Sequence, residues 1–525
     1  MFLPLREVET QELASAASSV TFTSIDTKVP SGSRHLVVLV SGASDQATNY
    51  KDIQLQFNAD SGSNYHDQGM KGDGSASSAA IRTSQAQLTP GFLPGSTAHA
   101  SAMGGGTILI PHFAGTDGHK AVLAVFGAVE EGVLAVAGRW AATAAITSIL
   151  IKPQTDNFLA GSRFVLCVVD ERYLVAETIL SGDATFSFPT LPAVTDARGD
   201  LAVVGYLRSD RSATGDGVLQ EINLDTTDSH YSRQNLDGNA TTATASVAAD
   251  RKVALDPAVP GDDATAAVFG AFTTTIPNHN QVANDPEYQC LAGFHETSGP
   301  TSAVRLLGGH MNLATDAAVT RVDYRPISGT NFKAGSMMSM YLVPRRLIQR
   351  VVLTGTASSV TFASLPTDVE ALFVLIYARS DRSSTHDAVK AFFNGDETAA
   401  NYDFQRLDGT SATVSATTQP ANAEGPWITA ASSTANEFGG GYIQIPTHDK
   451  TDRHKWWLSW MARAGNFVGL QSHRWESTDA ITSIVLKPAN GPNFIAASVF
   501  ELWAIYSDGQ DVSDRTRSTK TMSSS

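Results

Sequence analysis

One pattern returns three times along the chain, and it restricts the fold more than any other feature. Ala17-Ser18-Ser19-Val20-Thr21-Phe22 recurs as Ala357-Ser358-Ser359-Val360-Thr361-Phe362, with Asp183-Ala184-Thr185-Phe186-Ser187-Phe188 as a looser copy between them. Each copy closes alike, in Ala145-Ile146-Thr147-Ser148-Ile149-Leu150, Ala318-Val319-Thr320-Arg321-Val322-Asp323 and Ala480-Ile481-Thr482-Ser483-Ile484-Val485. Val20 and Val360 lie 340 positions apart and Ile146 and Ile481 lie 335 apart, which leaves about 170 residues per unit. A unit of that length can bury a core of its own, unlike the roughly 20–50-residue repeats of solenoids. Three tandem domains are therefore expected, at residues 1–172, 173–345 and 346–508, followed by a polar tail at 509–525. The junctions span a few residues only, so the domains are expected to touch rather than swing. The tail is expected either to be disordered alone or to dress a neighbouring subunit.

Within each unit the signal is strand. Helical periodicity is nearly absent, whereas Gln54-Leu55-Gln56-Phe57 and Thr185-Phe186-Ser187-Phe188 alternate as half-buried strands do. Phe164-Val165-Leu166-Cys167-Val168-Val169 is continuously apolar, as in a strand covered on both faces. Strands are expected at 19–22, 35–40, 51–58, 107–110, 120–126, 146–152 and 164–169. Turns are expected at Pro30-Ser31-Gly32, Asp60-Ser61-Gly62, Gly72-Asp73-Gly74 and Gly104-Gly105-Gly106. Many short strands separated by turns predict an all-β chain of three antiparallel, jelly-roll-like β-sandwich domains.

Composition narrows the partners. The net charge of −15 and the absence of a Lys/Arg cluster argue against a nucleic-acid surface. The two cysteines, Cys167 and Cys290, lie in different units, so no disulfide framework is expected and synthesis in a reducing compartment is. Met1-Phe2-Leu3-Pro4 leads into charged residues without a signal-peptide core, and no apolar run approaches the ~20 residues of a membrane helix. No phosphate loop, Gly-x-Ser-x-Gly elbow, His-Glu-x-x-His pair or Cys-x-x-Cys pair occurs. His119-Lys120 recurs as His454-Lys455, but the second unit has no counterpart. No catalytic, cofactor-binding or metal-ligating residue is expected, and no enzymatic activity.

Two sets of residues are candidates for a role. The first is a turn in each unit: Asn58, Asp60 and Tyr65; Asn223, Asp225 and Tyr231; Asn394, Asp396 and Tyr402. Asn-x-Asp after a strand favours a side-chain-capped turn, because short polar side chains bond their own backbone and tolerate left-handed conformations. A calcium loop is the sharper alternative, without the acidic ladder of an EF-hand. The second set is aromatic: Trp427, Tyr442, Trp456, Trp457 and Trp460 concentrate in the third unit, where Trp456, Trp457 and Trp460 stand for Ala121, Val122 and Val125 of the first. At least one of Trp456 and Trp457 should be buried, since neighbours on a strand face opposite ways. The other is a candidate for an interface or for stacking on a glycan. Trp140 and Trp475 align, and the same offset in the second unit reaches Leu313. Arg208-Ser209-Asp210-Arg211 and Arg379-Ser380-Asp381-Arg382 are expected to hold an internal ion pair. Arg198-Gly199-Asp200 matches an integrin-type tripeptide, a match short enough to arise by chance.

The Phe-Asn-x-Asp turn with its Asn-Tyr, and the closing Ile-Thr-Ser-Ile-x-Leu-Lys-Pro followed by Asn-Phe, resemble a module of tailed-bacteriophage virion proteins. Here the closing segments run on into Asn157-Phe158, Asn331-Phe332 and Asn493-Phe494. The second unit departs most, with Asp323-Tyr324 set against Leu150-Ile151 and Leu486-Lys487, which points to an outer surface adapted to a different neighbour. The resemblance implies a jelly-roll or carbohydrate-module-like sandwich and a structural component of the virion exterior, in a capsid decoration or a tail. Other virion proteins would then be its partners, as a homo-oligomer or a pseudo-trimer, with synthesis in the host cytoplasm and residence on the virion surface. The alternative it implies is a tail-fibre adhesin that recognises host surface glycans.

Overall fold

The computed structural model describes residues 3–191, 200–227, 230–239, 241–249, 259–277, 287–296, 302–311, 318–343, 347–367, 369–433, 437–463 and 467–506. The tail at 509–525, Leu313 and Arg198-Gly199 lie outside the described residues.

The first unit shows how the apolar runs and the alternating runs divide the work. Its strands are β1 (Leu5–Glu12), β2 (Val20–Phe22), β3 (Leu36–Gly42), β4 (Tyr50–Phe57), β5 (Tyr65–Gly72), β6 (Ser77–Gln85), β7 (Leu88–Pro94), β8 (Gly104–Ile110), β9 (Lys120–Ala128), β10 (Gly132–Trp140), β11 (Ile149–Pro153) and β12 (Arg163–Val169). They form an eight-stranded antiparallel sheet in the order β1-β12-β3-β8-β9-β10-β5-β6 and a four-stranded sheet in the order β2-β11-β4-β7. Strand side chains alternate between faces. Leu36, Val38 and Val40 therefore pack with Phe22, Leu55 and Ile149 inside the sandwich, while Val37 and Leu39 face away from it. Both sets are buried, which is why the sequence of β3 is apolar without interruption. In the thinner sheet β11 alternates instead, with Ile149 and Ile151 inward and Leu150 and Lys152 half-buried outside.

The same eight-strand order recurs twice. In the second unit it runs Leu174–Ile179, Met337–Val343, Asp200–Leu207, Gly270–Ile276, Glu287–Phe294, Ala303–Met311, Tyr231–Asn239, Thr242–Ala249. In the third it runs Leu347–Val352, Val499–Tyr506, Val369–Ala378, Gly439–Pro446, Lys455–Arg463, Phe467–Trp475, Tyr402–Thr410, Thr413–Pro420. The chain is thus an all-β assembly of antiparallel sandwiches.

The three large sheets turn their outer faces toward one another. Each seam repeats one pairing of strands: β10 lies against Glu287–Phe294, Ala303–Met311 against Lys455–Arg463, and Phe467–Trp475 against β9. This closes a ring, unit one on two, two on three and three on one. A single buried cluster fills the middle, drawing Leu123, Leu291 and Leu458 from the three units. On the pseudo-threefold axis sit Met70, Leu236 and Leu407, each five residues after its signature tyrosine. Two residues further on come Gly72, Gly238 and Gly409. A β-carbon at Gly72 would lie 2.7 Å from that of Leu407, one at Gly238 2.6 Å from that of Met70, and one at Gly409 3.4 Å from that of Leu236. At Gly72 and Gly238 glycine is there because the next unit's axial side chain occupies the space a β-carbon would need, whereas at Gly409 the nearest atoms are the Ala245 β-carbon at 3.1 Å and Asn235 O at 3.2 Å.

Four sequence expectations change. Gly104-Gly105-Gly106 opens β8 rather than making a turn, because neighbours crowd it: a β-carbon at Gly105 would lie 2.9 Å from the Trp456 ring. Ile146 is buried in the loop before β11, whose strand begins only at Ile149. Trp140 pairs with Tyr65 and Trp475 with Tyr402, whereas Tyr231 pairs with Met311, so Met311 and not Leu313 holds that register position. Pairing with the strand Val360–Ala363 also sets Asp323-Tyr324 against Val485-Leu486, one residue earlier than the sequence alignment had it. Tyr324 is fully buried and donates to Gln220 at 2.9 Å, so only Asp323 of that pair belongs to the outer surface.

Candidate functional site

The signature turn rests on the same asparagine contacts in the three units. Asn58, Asn223 and Asn394 adopt left-handed φ angles of 52°, 53° and 52°, a region that asparagine tolerates better than most residues. This orientation turns each amide onto the closing segment of its unit. Asn58 Nδ2 donates to Ala145 O at 2.8 Å, and its Oδ1 accepts from Thr147 N at 2.8 Å and Ser148 N at 3.1 Å. Asn223 does the same with Ala318, Thr320 and Arg321, and Asn394 with Ala480, Thr482 and Ser483. The two sequence signatures, 86 to 98 residues apart, are thus the two halves of one contact.

The aspartate and tyrosine complete it. Asp60 accepts from Gly62 N at 2.8 Å, Asn64 Nδ2 at 2.9 Å and Trp140 Nε1 at 2.7 Å. Asp396 accepts from Thr398 N, Asn401 Nδ2 and Trp475 Nε1, and Asp225 from Thr227 N and the His230 ring at 2.6 Å. Tyr65, Tyr231 and Tyr402 each donate to the aspartate's carbonyl, at 3.1, 2.8 and 2.9 Å. The Trp140 and Asn64 donors hold the Asp60 carboxyl below the usual range. Burial pushes Asp396 the other way, but Asn401, Trp475 and Thr398 outweigh it and bring it down to about 2. The oxygens a calcium ion would need are already accepting N–H donors, and among the described residues no group of three His, Cys, Asp or Glu side chains is placed to hold a metal.

The aromatic residues lie inside the molecule. Trp456, Trp460 and Tyr442 belong to the central cluster, and Trp457 to the third unit's own core. Trp456 Nε1 donates across the ring to Ser41 Oγ of the first unit at 2.9 Å. Trp457 stacks on His473, with ring centroids 4.7 Å apart. Trp427 alone is half-buried: its Nε1 donates to Glu424, Arg406 lies 4.4 Å from its ring centroid, and His386 stacks on it at 4.8 Å.

The other recurring polar residues tie loops. Lys120 and Lys455 are buried and donate to main-chain carbonyls, Gly118 and Thr143 for one and Arg453 and Thr478 for the other. In the Arg-Ser-Asp-Arg segments the ion pair falls to the second arginine, with Arg211–Asp216 and Arg382–Asp387 both at 3.8 Å. The first arginine reaches carbonyls instead, Arg208 those of Asp262, Ala264, Thr265 and Val268.

Sequence reasoning missed the axis. Its signal was available, since each signature tyrosine is followed by a large apolar residue and then a glycine at fixed spacing: Met70 and Gly72, Leu236 and Gly238, Leu407 and Gly409. Buried glutamines on the same strands stitch units together: Gln234 donates to Ser411 O and Gln405 to Val129 O, both at 2.8 Å.

No protein-family model and no curated protein sequence matches the chain. Among solved structures, the chain described as NanB with optactamide is 10% identical, with a TM-score of 0.16 over 88% of this chain and 81% of that one. An archaeal virus protein described for its triple jelly-roll fold and turret assembly is 9% identical, with a TM-score of 0.10 over 93% and 82%. A glycoside hydrolase of family GH43 is 9% identical with a TM-score of 0.16. Likenesses this loose carry no argument about the fold or the function.

Proposed function

We propose that the chain is a non-enzymatic structural component of a bacteriophage virion exterior, a capsid decoration or tail part that binds other virion proteins through its sandwich surfaces. The observation that carries this reading is the spending of the recurring polar residues. Asn58, Asp60, Tyr65 and their counterparts are all engaged in holding their own unit together. What three divergent copies share is therefore a scaffold, and the resemblance of those turns to phage virion modules supplies the setting. The ring also matches a pseudo-trimer suited to a threefold position on a particle, each unit free to meet a different local contact. Residence on the virion surface after synthesis in the host cytoplasm belongs to the same proposal.

The test is to measure the size and shape of the purified chain by light scattering and small-angle X-ray scattering, then to mix it with phage particles lacking it. A compact monomer that rebinds particles at regular sites is the expected result. An elongated oligomer that ignores particles and adheres to host cells would overturn it in favour of a glycan-binding adhesin.

A further inference from the structure

The three seams of the ring are built from equivalent strands, but their buried charges are not equivalent. At the seam between units three and one, Arg474 lies directly across its sheet from Asp403. It ion-pairs with Glu130, with Asp403 at 2.5 Å and with Glu476 at 2.9 Å. Arg139 holds the same register position in unit one, across from His66, and faces unit two. The counterpart of Asp403 is thus His66, that of Glu476 is Ala141, and that of Glu130 is Glu296. Glu296 meanwhile accepts from Thr265 N at 2.7 Å and from its hydroxyl at 2.5 Å.

Arg139 therefore keeps the burial of Arg474 but, of three carboxylates, retains only the charge of the buried Glu296. Arg139 is 3% exposed, and its Nε and Nη1 have no hydrogen-bond partner among the described residues. Its neighbours are three imidazoles and the Glu296 carboxylate: the His66 and His295 rings lie 5.2 Å apart, and His119 is tied into the same seam by a bond from its main-chain N–H to Ala267 O. Among the described residues neither ring nitrogen of His295 is bonded, nor is His119 Nδ1. Burial first, and then the charge of Arg139, holds His66 and His119 down to about 4 and His295 to about 3, so these imidazoles are neutral and each has an N–H to offer. A guanidinium taken out of water needs acceptors for its N–H groups as well as a counter-charge, and the Glu296 oxygens that supply the charge accept from Thr265 instead.

We propose that the seam between units one and two binds a small inorganic anion of chloride size, held by Arg139 Nε and Nη1 and by the imidazole N–H groups of His295 and His119. The anion does at this seam what Asp403 and Glu476 do for Arg474 at the other, and it cements unit one to unit two.

Two measurements on the full chain test this, with bromide and chloride as probes. Crystals soaked in bromide should show an anomalous peak against Arg139, and the melting temperature should rise with sodium chloride but not with sodium gluconate at matched ionic strength. Arg139→Met should abolish both effects. Should that variant fail to fold, His66→Asp serves instead, because it copies the carboxylate of Asp403. It should fold, lose the bromide peak and melt independently of chloride. No peak in the unaltered protein, or a chloride dependence that persists in His66→Asp, overturns the proposal.

Discussion

The signature turns and the axis-facing strands of the large sheets obey opposite rules. At the turns the three units agree almost atom for atom, with each asparagine bonded to the same three backbone groups of its own closing segment. Facing the axis they disagree: the first unit presents Ala121 and Val125 where the third presents Trp456 and Trp460. The bulk is compensated across the seam, where Trp456 lies over Gly105 and Ser41 of the first unit. Residues that hold a unit to itself repeat. Those that hold it to a neighbour vary in pairs, because close packing constrains the sum of two facing volumes rather than either one.

The contrast can be broken hardest at its aromatic end. Trp456→Ala should cost about 3–5 kcal/mol in urea unfolding, from the cavity left and from the stranded Ser41 hydroxyl. Trp427→Ala, at a half-buried ring, should cost well under half as much. Equal losses would mean that the central core is no more consequential than the third unit's own surface.

At the axis, Gly238→Val should cost about 1–3 kcal/mol, since its β-carbon meets that of Met70 at 2.6 Å. Gly355→Val, with nothing within 4 Å of its β-carbon, is the control and should change little. A double substitution of Gly238→Val with Met70→Ala should recover part of the loss if the axial contact is its cause.

The turns should respond alike in every unit. Asn58→Ala and Asn394→Ala should each cost about 2 kcal/mol, from backbone groups left unbonded and from the left-handed φ. Denaturant midpoints that differ strongly between the two variants would show that the repeats are less equivalent than their geometry.

The smallest effect is a pH slope. His35 and His473 are fully buried, and burial holds each imidazole down to about 3, below its ordinary value of 6.5. The unfolded chain therefore takes up protons below pH about 6.5 that the fold refuses, so stability rises with pH across the window from about 3 to 6.5. Each histidine contributes about 1.4 kcal/mol per pH unit there. His473→Gln should flatten the slope of unfolding free energy against pH between 4 and 6, and an unchanged slope would show that His473 titrates normally in the fold.

Much of this was legible in residue order. The alternation of Thr185-Phe186-Ser187-Phe188 and the unbroken apolar run of 164–169 distinguish a strand with one covered face from a strand with two, because side chains alternate across a sheet whatever lies beyond it. Gln54 and Gln56 alternate likewise, yet they are buried along with Leu55 and Phe57. The Asn-x-Asp turns were legible as turns for a similar reason, since their chemistry is local. The other half of each turn's contact was not, because Asn58 and Ala145 meet only once the strands between them are paired. Gly104-Gly105-Gly106 reads as a turn for the same lack: Gly105 is crowded by the Val40 carbonyl of the paired strand β3 and by the ring of Trp456, in another unit.

The sequence by itself determined that the chain is a threefold repeat of strand-rich units and where each unit begins to close, since repeats and periodicity are properties of order along a chain. Only the tertiary structure decided that the units close into a ring, that the tryptophans face inward, and that Arg139 and Arg474, alike in sequence position, stand among different charges. Those outcomes depend on which faces meet across a seam, and no single unit's residue order contains the face of its neighbour.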